Sequence, residues 1–342
     1  MDQNAEILKN AITGSLKIIE QDREREIISR RFGLGGSKET LEQIGEMLSI
    51  TRERVRQLEK AILIRLQISA EENKIPELAA AEKILIRNLD EMGRSAKISD
   101  LADKIYGKVS TATERTGIYF IATFSNNLTV IEENDKYFAA VTIAKDGTEK
   151  EVRAKVDEIV NTIKSNKAPM TLDELDSKLN YEHPNHIKAT ASISKNLASL
   201  NNLYGLAKWP AVNPKNIRDK IYVILENHKE PMHFSDIAKE ISSSNFKRKN
   251  VTIQAIHNEL IKDSRFVLIG RGIYALNSWG YSKGTVADII KDVLTKSKEP
   301  LSREEIVKRV LKTRKVKETT ILLNLQNKAL FKKLDKNSYT LA

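Results

Sequence analysis

Arg52, Glu53, Arg56 and Gln57 are residue types that read the edges of bases, and they fall within six consecutive positions. Arginine donates two hydrogen bonds to guanine, glutamine pairs with adenine and glutamate accepts from cytosine. Such side chains are useful only if one element presents them together. Val55, Leu58, Ile62 and Leu66 recur at helical spacing and predict the buried stripe of a helix whose other face is polar and basic. Thr51 stands where an N-cap belongs, its hydroxyl accepting an orphan backbone N–H. A solvated surface helix has the same appearance, so the meaning of these four residues depends on what precedes them.

A second helix is predicted immediately upstream. Thr40-Leu41-Glu42-Gln43 has the form of a capping box opening a helix through Leu48, with Ser49 and Ile50 as the turn before Thr51. Leu41, Ile44 and Leu48 then face Val55 and Leu58, and the second helix is left free to lie in a major groove. From Arg23 to about Leu66 the chain resembles region four of the sigma-seventy family of bacterial RNA polymerase sigma factors, the module that binds the promoter −35 element. The resemblance rests on Arg23 to Ile28, Arg31-Phe32-Gly33-Leu34, Thr40 to Gly45 and Thr51 to Glu59. It implies that Arg52, Glu53 and Gln57 read bases, while Arg31, Thr40, Leu41, Glu42, Arg54 and Arg56 lie at the DNA backbone. The family usually has a basic residue two places after the position of Glu59, where this chain has Ala61; Lys60 supplies a cation on a different azimuth. Sigma factors also melt the −10 element with a separate aromatic-rich domain. The two tryptophans here, Trp209 and Trp279, are far downstream, and a complete sigma factor is not expected.

A chain of 342 residues suits several modules of about 60 to 75 residues. It has no cysteine, which excludes disulfide scaffolds and cysteine-based zinc sites. Ile7 and Leu8 lie among Asp2, Glu6 and Lys9, unlike a signal peptide, and no apolar run approaches membrane-spanning length. The expectation is a bacterial cytoplasmic, nucleoid-associated protein with no membrane partner. The net charge of +11 is unevenly placed: residues from Lys215 onward carry 26 Lys and Arg against 14 Asp and Glu, whereas Met1 to Pro214 carries 31 against 32. A basic excess confined to one segment points to a polyanion partner.

An internal repeat follows the first module. Leu101, Leu175, Ile237 and Ile306 are spaced by 74, 62 and 69 residues, and each has an apolar residue four places on: Ile105, Leu179, Ile241 and Val310. Six residues before the aligned position stand Ser95, Pro169, Pro231 and Pro300. Thr171 with Glu174 and Ser302 with Glu305 have the form of capping boxes, and Ser99 and Ser235 are candidate caps of the same helix. A third helix is clearest over Val251 to Lys262, with Ile253, Ile256 and Leu260 as its stripe. Then the period shortens: Phe266, Tyr274 and Leu276 frame two strands around Gly270-Arg271-Gly272, and Phe331, Tyr339 and Leu341 do so around Asp335-Lys336-Asn337. The first copy has a similar hairpin, Leu128 to Ile131 and Tyr137 to Ala140, and the second ends at Leu203 to Trp209 in a degenerate wing. Three helices and a hairpin make a winged helix.

The third copy resembles a HARE-type winged helix, a family also found at the N-terminus of the RNA polymerase delta subunit. Pro231-Met232-His233-Phe234, Ile237, Ile241, Phe266, Gly272, Tyr274, Leu276, Ser278 and Trp279 carry the likeness, which implies a transcription- or DNA-associated module. Met232 and Phe234 are core candidates and His233 a satisfied polar residue. Lys247, Arg248 and Lys249 precede the third helix, where cations can meet a phosphate backbone; Lys312, Arg314, Lys315 and Lys317 occupy the equivalent place in the fourth copy, and Arg271 sits at a wing tip.

Enzymatic readings lack their residues. Gly33, Gly35 and Gly36 are followed by no Gly-Lys-Ser/Thr, and Pro184 between His183 and His186 argues against a helical metal pair. The expected fold is mainly α: a helix-turn-helix module over 1–70, then tandem winged helices with short β-hairpin wings over 75–145, 150–212, 214–282 (HARE-type) and 283–342. The expected function is a non-enzymatic bacterial transcription protein that recognises a −35-like element in double-stranded promoter DNA and works with core RNA polymerase, without cofactor, metal or small-molecule substrate. The alternative is a delta-like polymerase-associated subunit whose winged helices mainly bind protein.

Overall fold

A computed structural model describes residues 3–179, 181–246, 250–281, 283–297, 299–334 and 337–342, which fall into two compact units, Met1–Lys208 and Trp209–Ala342. The first unit opens with four helices, α1 (Gln3–Ile18), α2 (Asp22–Phe32), α3 (Leu41–Leu48) and α4 (Arg52–Glu71). Two winged helices follow. The first comprises α5 (Leu78–Met92), β1 (Ser95–Lys97), α6 (Ile98–Tyr106), α7 (Ala112–Phe124), β2 (Leu128–Ile131) and β3 (Ala140–Ile143). The second comprises α8 (Glu149–Asn166), β4 (Met170–Thr171), α9 (Leu172–Leu179), α10 (Pro184–Ser192), β5 (Leu197–Leu200) and β6 (Leu203–Leu206).

Two hydrophobic cores organise the front of this unit. A small one, under the helix-turn-helix, has Ile27, Ile44 and Val55 fully buried with Leu41, Leu48, Ile50 and Leu58 around them. A larger one runs from Leu8 of α1 through Ile62 and Leu66 of α4 to Phe120 and Phe124 of α7 and Val141 of β3. The first winged helix therefore shares its core with α1 and with the second half of α4. The edge-on contacts Phe32–Phe120 and Phe120–Phe124, at 5.0 and 5.1 Å between ring centroids, lie at the centre of this packing.

The second unit repeats the same order twice. The third winged helix has α11 (Ile217–His228), β7 (Met232–His233), α12 (Phe234–Ser243), α13 (Ile253–Lys262), β8 (Phe266–Gly270) and β9 (Ile273–Leu276). The fourth has α14 (Val286–Ser297), β10 (Leu301–Ser302), α15 (Arg303–Thr313), α16 (Glu318–Leu325), β11 (Phe331–Lys333) and β12 (Ser338–Leu341). Each of the four sheets among the described residues is antiparallel, with the last strand in the middle. The register repeats as well: Met170 faces Tyr204, Met232 faces Tyr274 and Leu301 faces Tyr339.

The short strand in front of each second helix is absent from the sequence reading. It follows the proline in the last three copies, because proline has no N–H to give a ladder and must stand just outside it. Local expectations are corrected at six further places. The returning wing strand of the first copy is Ala140–Ile143, not Tyr137 to Ala140; Tyr137 and Phe138 instead bond to the second winged helix, with the Phe138 amide donating to the Ile193 carbonyl at 2.9 Å. The second copy's wing is a complete hairpin rather than a degenerate one. Asn201 and Asn202 both adopt positive φ, 50° and 62°, as the tightest hairpin turn requires. Ser99 lies inside α6, and His233 rather than Ser235 caps α12, its ring accepting the Ser235 amide. Ser302 caps α15, but the Glu305 carboxylate turns to Arg309 and leaves the box half closed. Pro184 begins α10 with His183 as its cap, since proline is tolerated in the first turn.

Candidate nucleic-acid interface

The helix-turn-helix is built from its caps inward. The Thr40 hydroxyl accepts the Gln43 amide while the Gln43 side chain accepts the Thr40 amide, closing the box that starts α3. At the other end Ser49 turns into the left-handed region at φ 54°, and the Ile50 amide donates back to the Gly45 carbonyl at 2.9 Å. Gly45 permits this: a Cβ there would sit 2.7 Å from the Ile50 carbonyl oxygen. Thr51 then accepts the Arg54 amide and starts α4. α2 braces the pair from behind. Arg23 donates to the Leu48 carbonyl at 2.7 Å, and Arg65 of α4 pairs with Glu24, a buried carboxylate of α2.

Arg52, Glu53, Arg56 and Gln57 share the exposed face of α4. Each is held by a neighbouring side chain. Arg56 holds Glu53 through two bonds of 2.7 and 2.8 Å, Arg52 pairs with Glu42 at 3.0 Å, and Arg54 leans on the Gln57 side chain at 3.5 Å. The Arg56 bonds hold the Glu53 carboxyl below its usual range, so it faces solvent as an acceptor only. Surface pairs of this kind are weak and exchange readily for other partners. Presented to a base, the same donors and acceptors become a reading set.

The expected backbone residues are placed differently from one another. Thr40, Glu42, Arg54 and Lys60 are exposed or partly so, whereas Leu41 packs its side chain into the small core and can meet DNA only through its main chain. Arg31 is three-quarters covered and tied to Glu59 at 3.1 Å. Arg271, Lys315 and Lys317 are exposed, and none forms an ion pair among the described residues. Arg314 is a correction. Its side chain is buried, it donates to the Leu268 carbonyl at 2.7 Å, and burial pushes the guanidinium below its usual range; it holds the third and fourth winged helices together instead of facing a phosphate. Lys247, Arg248 and Lys249 lie outside the described residues, as do Asp335 and Lys336 of the last wing turn.

Comparison with known proteins assigns two segments. Residues 21–67 match sigma-70, region 4. A stretch of 68 residues is also 38% identical to "RNA polymerase sigma factor sigF, chloroplastic" of Arabidopsis thaliana, a match that takes in 20% of this chain and 12% of that protein. Residues 217–279 match HARE-HTH, a helix-turn-helix domain family whose description includes restriction endonucleases. Sigma region 4 thus coincides with α2 to α4, and the HARE domain runs from α11 to just beyond β9. Both are helix-turn-helix types, and the chain is a DNA-binding, transcription-related protein. No helix among the described residues is long and apolar enough to cross a membrane.

The sequence reading missed two basic features. Lys332 and Lys333 stand exposed on β11, the edge strand of the fourth wing; charged residues on edge strands also guard against aggregation, which makes them easy to pass over. Beside the sigma region 4 segment, Lys38, Lys97, Arg115 and Tyr119 line a cleft of about 550 Å³ together with Arg31 and two carboxylates, Glu132 and Glu133. Lys38 lies over the Tyr119 ring at 5.7 Å. Only tertiary folding brings these residues together, and no local spacing announces them.

Proposed function

We propose that the protein reads a −35-like promoter element through α4 and regulates transcription initiation together with RNA polymerase, on bacterial nucleoid DNA. Arg52, Glu53, Arg56 and Gln57 are the base-reading residues. Arg31, Thr40, Leu41, Glu42, Arg54 and Lys60 meet the adjacent phosphates, and the basic C-terminal cations hold flanking DNA. The observation that carries this reading is the exposed set of four readout side chains, each held by a neighbouring side chain, on a helix that opens on a capped tight turn. Selection of bound sequences from a random duplex pool tests it. Glu53→Ala or Gln57→Ala should relax preference at one position by about 1 to 3 kcal/mol, and Arg54→Ala should weaken binding evenly across sequences. An unchanged selected site in both base-reading variants would refute the assignment.

A second reading, a polymerase-associated subunit, draws support from the third helices of the C-terminal modules. The exposed positions of α13 are Ile253, Gln254, Asn258, Ile261 and, at its C-terminal end, Lys262, and those of α16 are Glu318, Thr319, Thr320 and Leu323. Ile261 and Leu323 are 64% and 65% exposed, and of these nine residues only Lys262, in the last turn of α13, is a cation. Co-purification with core polymerase that survives nuclease treatment would favour this reading over promoter addressing.

A further inference from the structure

The third and fourth winged helices are joined by more than the chain between them. Arg314 donates through Nη1 to the Leu268 carbonyl at 2.7 Å, and one residue later the Lys315 amide donates to the Ile269 carbonyl at 3.1 Å. The loop between α15 and α16 thus lies along β8, the outer strand of the HARE wing, and occupies its free edge. Gly270 shows how close the approach is. A Cβ at that position would come within 2.6 Å of the Lys315 carbonyl oxygen, a backbone atom that cannot swing aside. Arg271 is the next residue at the wing tip, and Lys317 is the residue from which α16 starts. All three cations are exposed, and none forms an ion pair among the described residues.

We propose that Arg271, Lys315 and Lys317 form one phosphate-binding surface for duplex DNA, held at fixed spacing by the seating of the 314–315 loop on β8. This rests on the DNA reading of the C-terminal half and specifies which residues do the holding. The wing of one module and the helix entry of the next act as a single rigid contact. Buried Arg314 and small Gly270 are its positioning residues, and neither touches DNA.

The test is duplex binding by the full chain, measured against salt on a long mixed-sequence duplex. Each lost phosphate contact lowers the slope of log K against log salt by about 0.9, so the triple variant Arg271→Ala, Lys315→Ala, Lys317→Ala should lose roughly two to three units of slope. Gly270→Val retains every charge, yet it should lower affinity and slope in the same direction and speed hydrogen exchange at the Lys315 amide. Arg314→Met removes the bond to Leu268 without adding bulk at the strand, and should act likewise if the valine variant does not fold. A chain that binds duplex with an unchanged slope in the triple variant overturns the junction surface and leaves promoter reading by α4 standing. Faster exchange at Lys315 with unchanged affinity overturns the positioning role. Failure of the unaltered chain to bind duplex at all would sink the DNA reading itself, and loss of polymerase binding alone in the triple variant would reassign the surface to protein.

Discussion

Ile44→Ala tests whether the helix-turn-helix is held by its own small core. Ile27, Ile44 and Val55 are each fully buried there. Burial of such side chains stabilises by about 1.5 to 3 kcal/mol each, so the trio supplies roughly 5 to 9 kcal/mol before conformational entropy is charged against it. Truncating one isoleucine to alanine removes about 2 to 5 kcal/mol, roughly half of that sum. Ile62 and Leu66 lie in the larger core with Phe120, so the second half of α4 should stay anchored while α3 and the first turns of α4 open. Hydrogen exchange resolves this residue by residue. Amides over 41–58 should exchange about thirty- to several-thousand-fold faster, those of α7 should change little, and sequence-specific DNA binding should fall with the folded fraction. Ile44→Val, at about 0.5 to 1.5 kcal/mol, should show the same pattern in miniature. Equal acceleration in α7, or none in α3, would refute the separation of the two cores.

Three other outcomes are expected. Gly45→Ala should destabilise despite alanine's advantage of about 1 kcal/mol in a helix, because the added Cβ meets the Ile50 carbonyl at 2.7 Å and overpacking costs about 1 to 3 kcal/mol; a raised denaturation midpoint would contradict it. Asp263 is held below its usual value of 3.8, first by the hydrogen bond from Arg265, so its contribution to the HARE module is complete above that pH and is lost as pH falls through the lower folded value. Thermal melts of Asp263→Asn should accordingly show a flatter acid limb than the parent. Asn202→Gly should raise the melting temperature of the first unit, since φ 62° costs glycine nothing and Asn-Gly is the preferred pair for this hairpin turn.

Much of this architecture is legible in local pattern because local chemistry decides it. Thr40 with Gln43, Thr51 and the stripe Val55 to Leu66 specify two helices and a turn without help from elsewhere. The same holds for the aligned aliphatic pairs that open each second helix, and for Phe266, Tyr274 and Leu276, whose order in the wing matches their pairing. What the pattern conceals is decided by partners far along the chain. Two-residue strands such as Met232–His233 have no period of their own and exist because Tyr274 and Ile273 lie opposite. Arg314 reads as one more cation in a basic loop until the fold buries it under Leu268. The pairs Arg52–Glu42 and Arg31–Glu59 likewise couple residues on different helices, and no spacing along one helix announces them.

The shared core of α4 bears on how this DNA reader can be moved between proteins. A fragment cut to the matched stretch, 21–67, would lay bare Ile62 and Leu66 and strip α2 of the Phe32–Phe120 contact. A fragment from α1 through β3 keeps the larger core whole, yet it exposes Ile131, Tyr137 and Ala140, which pack against Val152, Val156 and Ile193 of the second winged helix. A chimera that swaps in a different helix-turn-helix must therefore carry compatible winged helices with it, or supply new apolar cover for the far end of α4.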